Sequence, residues 1–579
     1  MGGKGDGKKK NKKGGQVSRA QQQQQAAARR SLAPPGGSRV SRGADDHPAS
    51  LTVPRETGSR PAEQIISSPG PVTEVPAKVR QYVDVSAIRI QDWLGRTPDL
   101  KFRRGGSILL SEATEHKSWD GHLPDGARWN DEAGEVDGVL SLVLDDGTAG
   151  DPDDHAKAVA RQVVERMRVK MPHCPIMAVA GQGDSYATAY PAMAVVRRDG
   201  VLLIDSPPAP PELFLAKPCD QCRSAVATRP HVSVESGERP VDLCDECAAR
   251  LEAAGRTAGR PAQAPRPERR LRQALKDAGM EVADFSDTFA DMAAAGERDR
   301  DDKATQLALI YADGNRVGAF LTRAANTPGG PDKTELARLL DQAALGALAR
   351  AVIDRFKGWS RPPVLVNLAG GDDILVSVPA PDAWLFTKTL LDSFTAILAE
   401  KAGRWPRAAR DNIPTLAAGL VFHHLSAPFS DVVRLADGQL REAKAKTRGS
   451  AAVAFLDMTA DGNAPPEGRL PVRLRDLDTQ ATWLTQVAAL PGSRRQALLD
   501  LYRNGEIDGF IARLTDFGDN RPLWQIVAGS GATAPAVRDE LRRSSARQDE
   551  VRRALDIARH WRFEPRAQES QETREALSR

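Results

Sequence analysis

No window of the 579-residue chain approaches 18 consecutive apolar residues, the length a membrane-spanning helix needs. The opening stretch MGGKGDGKKKNKKGG carries charge with no apolar run behind it, so no secretory signal is expected there. These two absences predict a cytoplasmic chain that makes no use of a membrane. Cysteine is scarce as well: there are five, four of them in two Cys-x-x-Cys pairs, too few and too grouped for a secreted disulfide framework. A reducing compartment with one metal site fits them better. No fixed-period repeat of the solenoid kind is present. What remains is the balance of ordinary globular protein, 40% hydrophobic and 27% charged, which excludes a fibrous, collagenous or wholly disordered chain. The length allows about four domains.

The formal net charge of +4 hides an asymmetry. Residues 1–75 hold 13 Lys and Arg against 6 Asp and Glu, a surplus of 7, and the remaining 68 basic and 71 acidic residues leave −3. Residues 1–78 combine a lysine cluster (Lys8, Lys9, Lys10, Lys12, Lys13), a glutamine and alanine run and a Pro/Ser/Gly stretch. Such a segment cannot bury enough apolar surface to offset its ordering entropy, which predicts a disordered basic tail.

From residue 80 the pattern changes. Tyr82 to Ile88 reads as a strand, Gln91 to Leu94 as the start of a helical turn, and Arg103-Arg104-Gly105-Gly106-Ser107 as a turn entering a further helix. Residues 136–144 read as a strand closed by a plain Asp145-Asp146-Gly147 turn, and residues 154–170 carry apolar residues at helical spacing. This predicts a compact α+β domain over 80–206, ended by a proline-rich run. A zinc-binding module with its linker follows over 212–268, a second α+β domain over 269–465, and a helical carboxyl-terminal domain over 474–565.

Two cysteine pairs, Cys219-Asp-Gln-Cys222 and Cys244-Asp-Glu-Cys247, have 21 residues between them. Each pair makes a knuckle, and four thiolates match tetrahedral zinc. One closed structural zinc site explains two pairs in a loop-rich segment better than redox chemistry does. Cys174 is expected to be an inert core residue.

The carboxylates carry the chemistry. Leu307 to Ala312 is an apolar run of strand length that ends in Asp313-Gly314-Asn315-Arg316. Val364 to Ala369 and Ile374 to Val378 are two more such runs, separated only by Gly370-Gly371-Asp372-Asp373, the pattern of a β-hairpin. If the Asp313 strand pairs with this hairpin, strands about 4.8 Å apart bring Asp313, Asp372 and Asp373 to one sheet edge. Oxygen ligands of this type suit Mg²⁺ or Mn²⁺, whose remaining shell comes from water and substrate phosphates. Gly370 and Gly371, without side chains, let the backbone approach a nucleotide.

Tyr311-Ala312-Asp313-Gly314-Asn315-Arg316-Val317-Gly318 followed by Gly370-Gly371-Asp372-Asp373 resembles the palm of the large polymerase/cyclase subunit of type III CRISPR effector complexes, a relative of GGDEF nucleotide cyclases. Ala418 to Pro428 resembles that family's small-Gly-apolar run ending in His-x-x-x-Pro, and Leu440 to Gly449, with Ala443-Lys444, resembles its following helix. Tyr82 to Leu110 is similar to the start of the family's first, degenerate palm. The resemblance implies two ferredoxin-like palm domains with a zinc module between them and a helical bundle at the carboxyl end. It implies that Asp313, Asp372 and Asp373 hold divalent metal, with Gly314, Asn315, Gly370, Gly371 and Lys444 about the nucleotide. The implied reaction joins ATP 3′ to 5′ into cyclic oligoadenylates with release of pyrophosphate, an antiviral signal. The implied partners are ATP, other effector-complex subunits, guide RNA and target RNA. Many members begin with an HD nuclease domain, and the only His-Asp neighbourhood near the start, Asp45-Asp46-His47, falls in the basic tail, so no HD nuclease is expected. His424 reads as a structural polar residue. Two other readings stay open: a catalytically silent scaffold of a ribonucleoprotein, and a stand-alone defence cyclase making another cyclic nucleotide.

Overall fold

The computed structural model describes residues 79–135, 138–144, 152–199, 203–205, 216–234, 239–254, 264–286, 288–295, 305–516 and 518–561. The basic tail and the Asp145-Asp146-Gly147 turn lie outside the described residues.

The first sheet is built from β1 (Arg80–Ala87), β2 (Ala127–Trp129), β3 (Val139–Leu144), β4 (Ile176–Gly183) and β5 (Leu203–Asp205), in the order β2-β3-β1-β4-β5. Its helices are α1 (Ile90–Gly95), α2 (Leu100–Thr114), α3 (Pro152–Lys170) and α4 (Tyr186–Asp199). β1 lies antiparallel to both β3 and β4, so strands one to four follow the ferredoxin-like order. Val83, Val85, Leu140, Leu142, Val159, Val163 and Met167 form the core beneath α3. Cys174 is buried among them, and burial pushes its thiol up to about 12, as an inert core cysteine requires.

Arg103 to Ser107 does not form a turn. Asp99 caps α2 by accepting from the Lys101 amide, and the helix runs unbroken through Gly105 and Gly106. A Cβ at Gly105 would lie 1.7 Å from the Arg250 carbonyl oxygen. The glycines are there because another helix crosses α2 at backbone contact, and that tertiary demand outweighs their poor helix propensity.

The crossing helix, α5 (Asp245–Ala253), follows the small β6 (Arg229–Val232) and β7 (Val241–Leu243) ribbon that the two cysteine pairs flank. Its Arg250 is fully buried: the guanidinium donates to Glu246 (2.8 Å) and the Trp93 carbonyl (2.8 Å) and stacks over the Trp93 ring. Glu246 also accepts from the backbone N–H of His173 at 3.0 Å. The cysteine-bearing module is thereby bolted to the first sheet domain. A connecting helix, α6 (Arg266–Asp277), leads on to the second.

The second sheet contains β8 (Gln306–Gly314), β9 (Leu365–Gly370), β10 (Asp373–Pro379), β11 (Leu416–His424), β12 (Ala452–Asp457) and β13 (Val472–Arg473), in the order β13-β12-β11-β8-β10-β9. Within it, β11-β8-β10-β9 repeats the ferredoxin-like order of the first sheet. One face is covered by α7 (Val317–Ala325), α8 (Lys333–Phe356) and α9 (Ala383–Ala402), around Leu340, Leu348, Trp384 and Phe394. The other face carries α10 (Phe429–Thr447), seated on Gly419, where a Cβ would lie 2.0 Å from the Ala436 carbonyl oxygen. Among the described residues six carboxyl-terminal α-helices follow: α11 (Leu474–Ala488), α12 (Gly492–Arg503), α13 (Ile507–Thr515), α14 (Arg521–Ala528), α15 (Ala534–Arg543) and α16 (Ser545–Ala558). They enclose their own core of Leu498, Phe510, Leu514, Leu523, Leu541 and Leu555. The expected fold class, α+β with a cysteine module between two sheet domains and a helical end, is what the chain adopts.

Candidate active site and metal centre

β8 is apolar and buried until its last residues, and there the chain changes character. Asp313 and Gly314 close the strand, and Arg316 adopts a left-handed conformation (φ 59°) to start α7. Asn315 makes this sharp exit possible. It is buried, its backbone N–H donates to the Thr415 carbonyl (2.7 Å), and its side-chain amide donates to Thr415 Oγ1 (2.9 Å) and the Ser450 carbonyl (3.2 Å). Its amide is spent on holding the turn.

The hairpin forms as the sequence predicts. β9 and β10 pair through Asp373 and Gly370, leaving Gly371 and Asp372 as the two loop residues. Gly371 has φ +62°, a conformation open to glycine at little cost in a tight hairpin. β10 pairs with β8 from Ile374 opposite Ala312, and one step further along the ladder Asp373 faces Asp313. Asp372 reaches across the same edge: a Cβ at Gly314 would lie 2.4 Å from its Oδ2. Gly314 is therefore glycine to make room for a carboxylate. At Gly318, Gly370 and Gly371 a Cβ would meet nothing within 4 Å, so the edge is open there.

Three carboxylates share this edge with one ammonium group. Lys444 of α10 pairs with Asp313 and donates to the Gly314 carbonyl at 2.9 Å. Burial, then the charge of Asp313, pushes the Asp372 carboxyl up to about 6, and burial with the charges of Asp313 and Asp372 pushes Asp373 up to about 8. A donor set of half-buried oxygens short of positive charge fits a hard divalent cation. The three oxygens are set wider than the thiols described next: among the described residues, the four cysteines alone bring three or more ligand atoms within 4.8 Å of one another.

At that second centre Cys219, Cys222, Cys244 and Cys247 converge, with 3.8 Å between the sulfurs of Cys222 and Cys244. A tetrahedron with Zn–S bonds of about 2.3 Å spaces its sulfurs by roughly 3.8 Å. Cys244 also caps α5, its sulfur accepting from the Cys247 backbone N–H at 3.4 Å. The cluster fits a zinc ion closed off from substrate.

His424 stays out of the site: its Nδ1 lies 2.7 Å from Ser426 Oγ, within a surface turn. The neighbouring His423 is buried, and burial pushes its imidazole down to about 4.

The first sheet repeats the frame of the site without its chemistry. Arg89, the residue that starts α1, is left-handed (φ 53°) as Arg316 is, and each arginine lies three residues beyond a strand position, Ser86 in one case and Asp313 in the other. Ser86 pairs with Val139. Ser86, Gly138 and Val139 thus stand where the second sheet has Asp313, Asp372 and Asp373. The sequence signal for this equivalence was a single arginine after each strand, too weak to read without the ladder.

The family model of the Cas10/Cmr2 second palm domain matches residues 306–452, from the start of β8 to β12, with all three carboxylates and Lys444 inside. Among solved structures, the crystal structure of a Csm1-Csm4 cassette in complex with cA4 is similar with a TM-score of 0.48 and 15% identity, covering 83% of this chain and 70% of that chain. The same cassette in complex with AMPPNP gives the same figures. The cryo-EM structure of a type III-B Cmr-beta complex in its apo state has a TM-score of 0.43 and 10% identity, covering 81% of this chain and 77% of that chain. No curated protein matches the chain significantly. The resemblance read from the motifs holds where the carboxylates are: over residues 306–452 the chain carries a second palm domain of the Cas10/Cmr2 kind.

Proposed function

We propose that the protein is a metal-dependent nucleotidyl cyclase that converts ATP to cyclic oligoadenylates with release of pyrophosphate. The observation that carries this reading is the edge formed by Asp313, Asp372 and Asp373, half-buried and mutually repelling, inside the segment that matches the family model. In each cycle a ribose 3′-oxygen bonds to the α-phosphorus of a second ATP, the bond from that phosphorus to the β-phosphate oxygen breaks, and the hydroxyl proton passes to solvent. Such a transfer asks for positioning and charge neutralisation more than for covalent catalysis. Bound Mg²⁺ or Mn²⁺ would neutralise phosphate charge and favour the ionised hydroxyl. Asp313, Asp372 and Asp373 would hold the metal, and the bare backbone of Gly370 and Gly371 leaves room for the nucleotide. Lys444, which balances Asp313 in the free chain, would be the cation to meet the triphosphate. Gly314 and Asn315 serve indirectly, one by admitting Asp372 and the other by fixing the turn.

Zinc on the four cysteines would hold α5 against α2 and take no part in the reaction. The proposed setting is a cytoplasmic type III effector complex, with other subunits, guide RNA and target RNA as partners and target RNA as the trigger. Among the described residues no helix is long and apolar enough to cross a membrane. A scaffold role suits the first sheet domain, where Ser86, Gly138 and Val139 replace the carboxylates.

Incubation with each NTP and Mg²⁺ or Mn²⁺, with and without partner subunits and RNAs, followed by mass spectrometry, tests the reading. A cyclic or linear oligoadenylate made by the wild type and not by Asp372→Ala/Asp373→Ala is expected. Absence of any such product under every condition would sink it.

A further inference from the structure

We infer that Asp341 and Arg270 are positioning residues that fix the Gly-Gly-Asp-Asp turn and tie it to the first sheet domain; this rests on the cyclase reading. The turn has little else to hold it. Gly370 and Gly371 have no side chains to pack, and the space where a Cβ would stand is empty at both. Two successive glycines leave the backbone its widest freedom, at the point where Asp372 must be held steady. From behind, Asp341 of α8 accepts a hydrogen bond from the Gly371 backbone N–H at 3.4 Å. Arg270 of α6 pairs with Asp341 and donates from its other nitrogen to the Ala369 carbonyl at 3.4 Å. One ion pair therefore grips the chain on both sides of Gly370.

α6 is held equally from its opposite flank. Arg266 pairs with Glu135 (3.4 Å), Arg269 pairs with Glu115, and the buried Glu268 receives Arg104 of α2 at 2.8 Å. Glu115, Glu135 and Arg104 all belong to the first sheet domain. α6 is thus the element through which that domain, though it lacks the carboxylates, sets the position of the catalytic turn. Both residues act on the turn through its backbone, at the Gly371 N–H and the Ala369 carbonyl, so their loss should slow turnover more than it weakens ATP binding.

The test uses the full chain under the conditions in which the wild type makes product. Asp341→Ala is expected to lower kcat by about 100-fold, the order of effect of a small misplacement of reacting groups, with KM for ATP nearly unchanged. Asp341→Asn keeps an oxygen for the Gly371 N–H and should recover most of that loss. An unchanged kcat in Asp341→Ala, a rise in KM alone, or an Asn variant no better than Ala would overturn the inference. Hydrogen exchange on the free chain gives a readout that needs no activity. Asp341→Ala should speed exchange across residues 368–374 and leave residues 416–424 as they are, and an unchanged rate at Gly371 overturns the inference. If exchange rises as expected while the wild type makes no oligonucleotide, the positioning stands and the cyclase reading falls.

Discussion

The two sheet domains place acids in opposite ways on the same frame. In the first, Asp84 is buried at the middle of β1, where it accepts hydrogen bonds from Ser141 Oγ (2.6 Å) and the Tyr186 hydroxyl (2.9 Å), with Asn130 supporting Ser141. Neutral donors satisfy that carboxylate in place, as a buried polar network must to be stable. In the second, Asp372 and Asp373 stand at the end of the ladder facing Asp313, with one lysine among the three. The strand order, the ladder and the left-handed arginine are common to both, so the frame does not require the edge acids. A fold that keeps three mutually repelling carboxylates where the sister copy has serine, glycine and valine does so at a cost to stability, and a site for metal and phosphate accounts for it.

The largest expected effect breaks the comparison at its centre. Asp372→Ala/Asp373→Ala should lower oligonucleotide formation on the order of 10³-fold or more, in line with the loss of groups that stabilise transition-state charge. Mass spectrometry of the products measures it. A double variant that retains product would mean the edge acids of the second sheet matter no more than Ser86 and Val139 do.

Next comes the prop that only the first domain has. Cys222→Ser should abolish stoichiometric zinc, read by elemental analysis, and cost several kcal/mol, since zinc binding at such sites is also folding energy. Because α5 rests on Gly105 and Gly106 of α2, hydrogen exchange should rise in α2 and remain unchanged in β8 and β11. A uniform rise would show that the two domains share one stability.

A smaller effect follows from the raised carboxyls. Unfolded, an aspartate ionises near pH 4; folded, burial and the charge of Asp313 hold Asp372 to about 6 and Asp373 to about 8. Between these limits the folded chain binds the extra protons, so its stability falls as pH rises through the window. Asp373→Asn removes the larger share of that slope and leaves the part due to Asp372. Without divalent metal, the Tm of its second sheet domain should exceed that of the wild type by about 2–4 °C at pH near 8.5, the shift of roughly 1 kcal/mol in a domain of about 200 residues, and match it near pH 4. A Tm difference that does not vary with pH would place the cost elsewhere.

Much of the second domain was legible in the sequence because its signals are local. An apolar run ending in Asp-Gly, and two apolar runs around Gly-Gly-Asp-Asp, have one economical arrangement, and the four cysteines needed only their spacing. What stayed hidden depends on contacts distant in sequence. Gly105 and Gly106 looked like a turn because their reason, the backbone of Arg250, lies some 145 residues further on. Asn315 looked like a nucleotide ligand because its partners, Thr415 and Ser450, cannot be read from its neighbours. The correspondence of Ser86 with Asp313 needed the ladder itself.

The smallest expected effect asks whether the first domain merely lacks carboxylates or has lost the site. Its tip is filled. A Cβ at Gly138 (φ +81°) would lie 2.6 Å from Ile90 Cδ1, with Leu110 at 3.8 Å, whereas the corresponding turn of the second domain is open at Gly371. The backbone there disfavours any side chain, and Ile90 fills the space beside it. Ser86→Asp/Val139→Asp should therefore change product formation by less than about twofold in the wild type, as substitutions away from a working site do. It should also fail to rescue Asp372→Ala/Asp373→Ala. Rescue would show that the apolar filling gives way and that two acids suffice to restore the site; its failure would place the difference in the packing about Gly138.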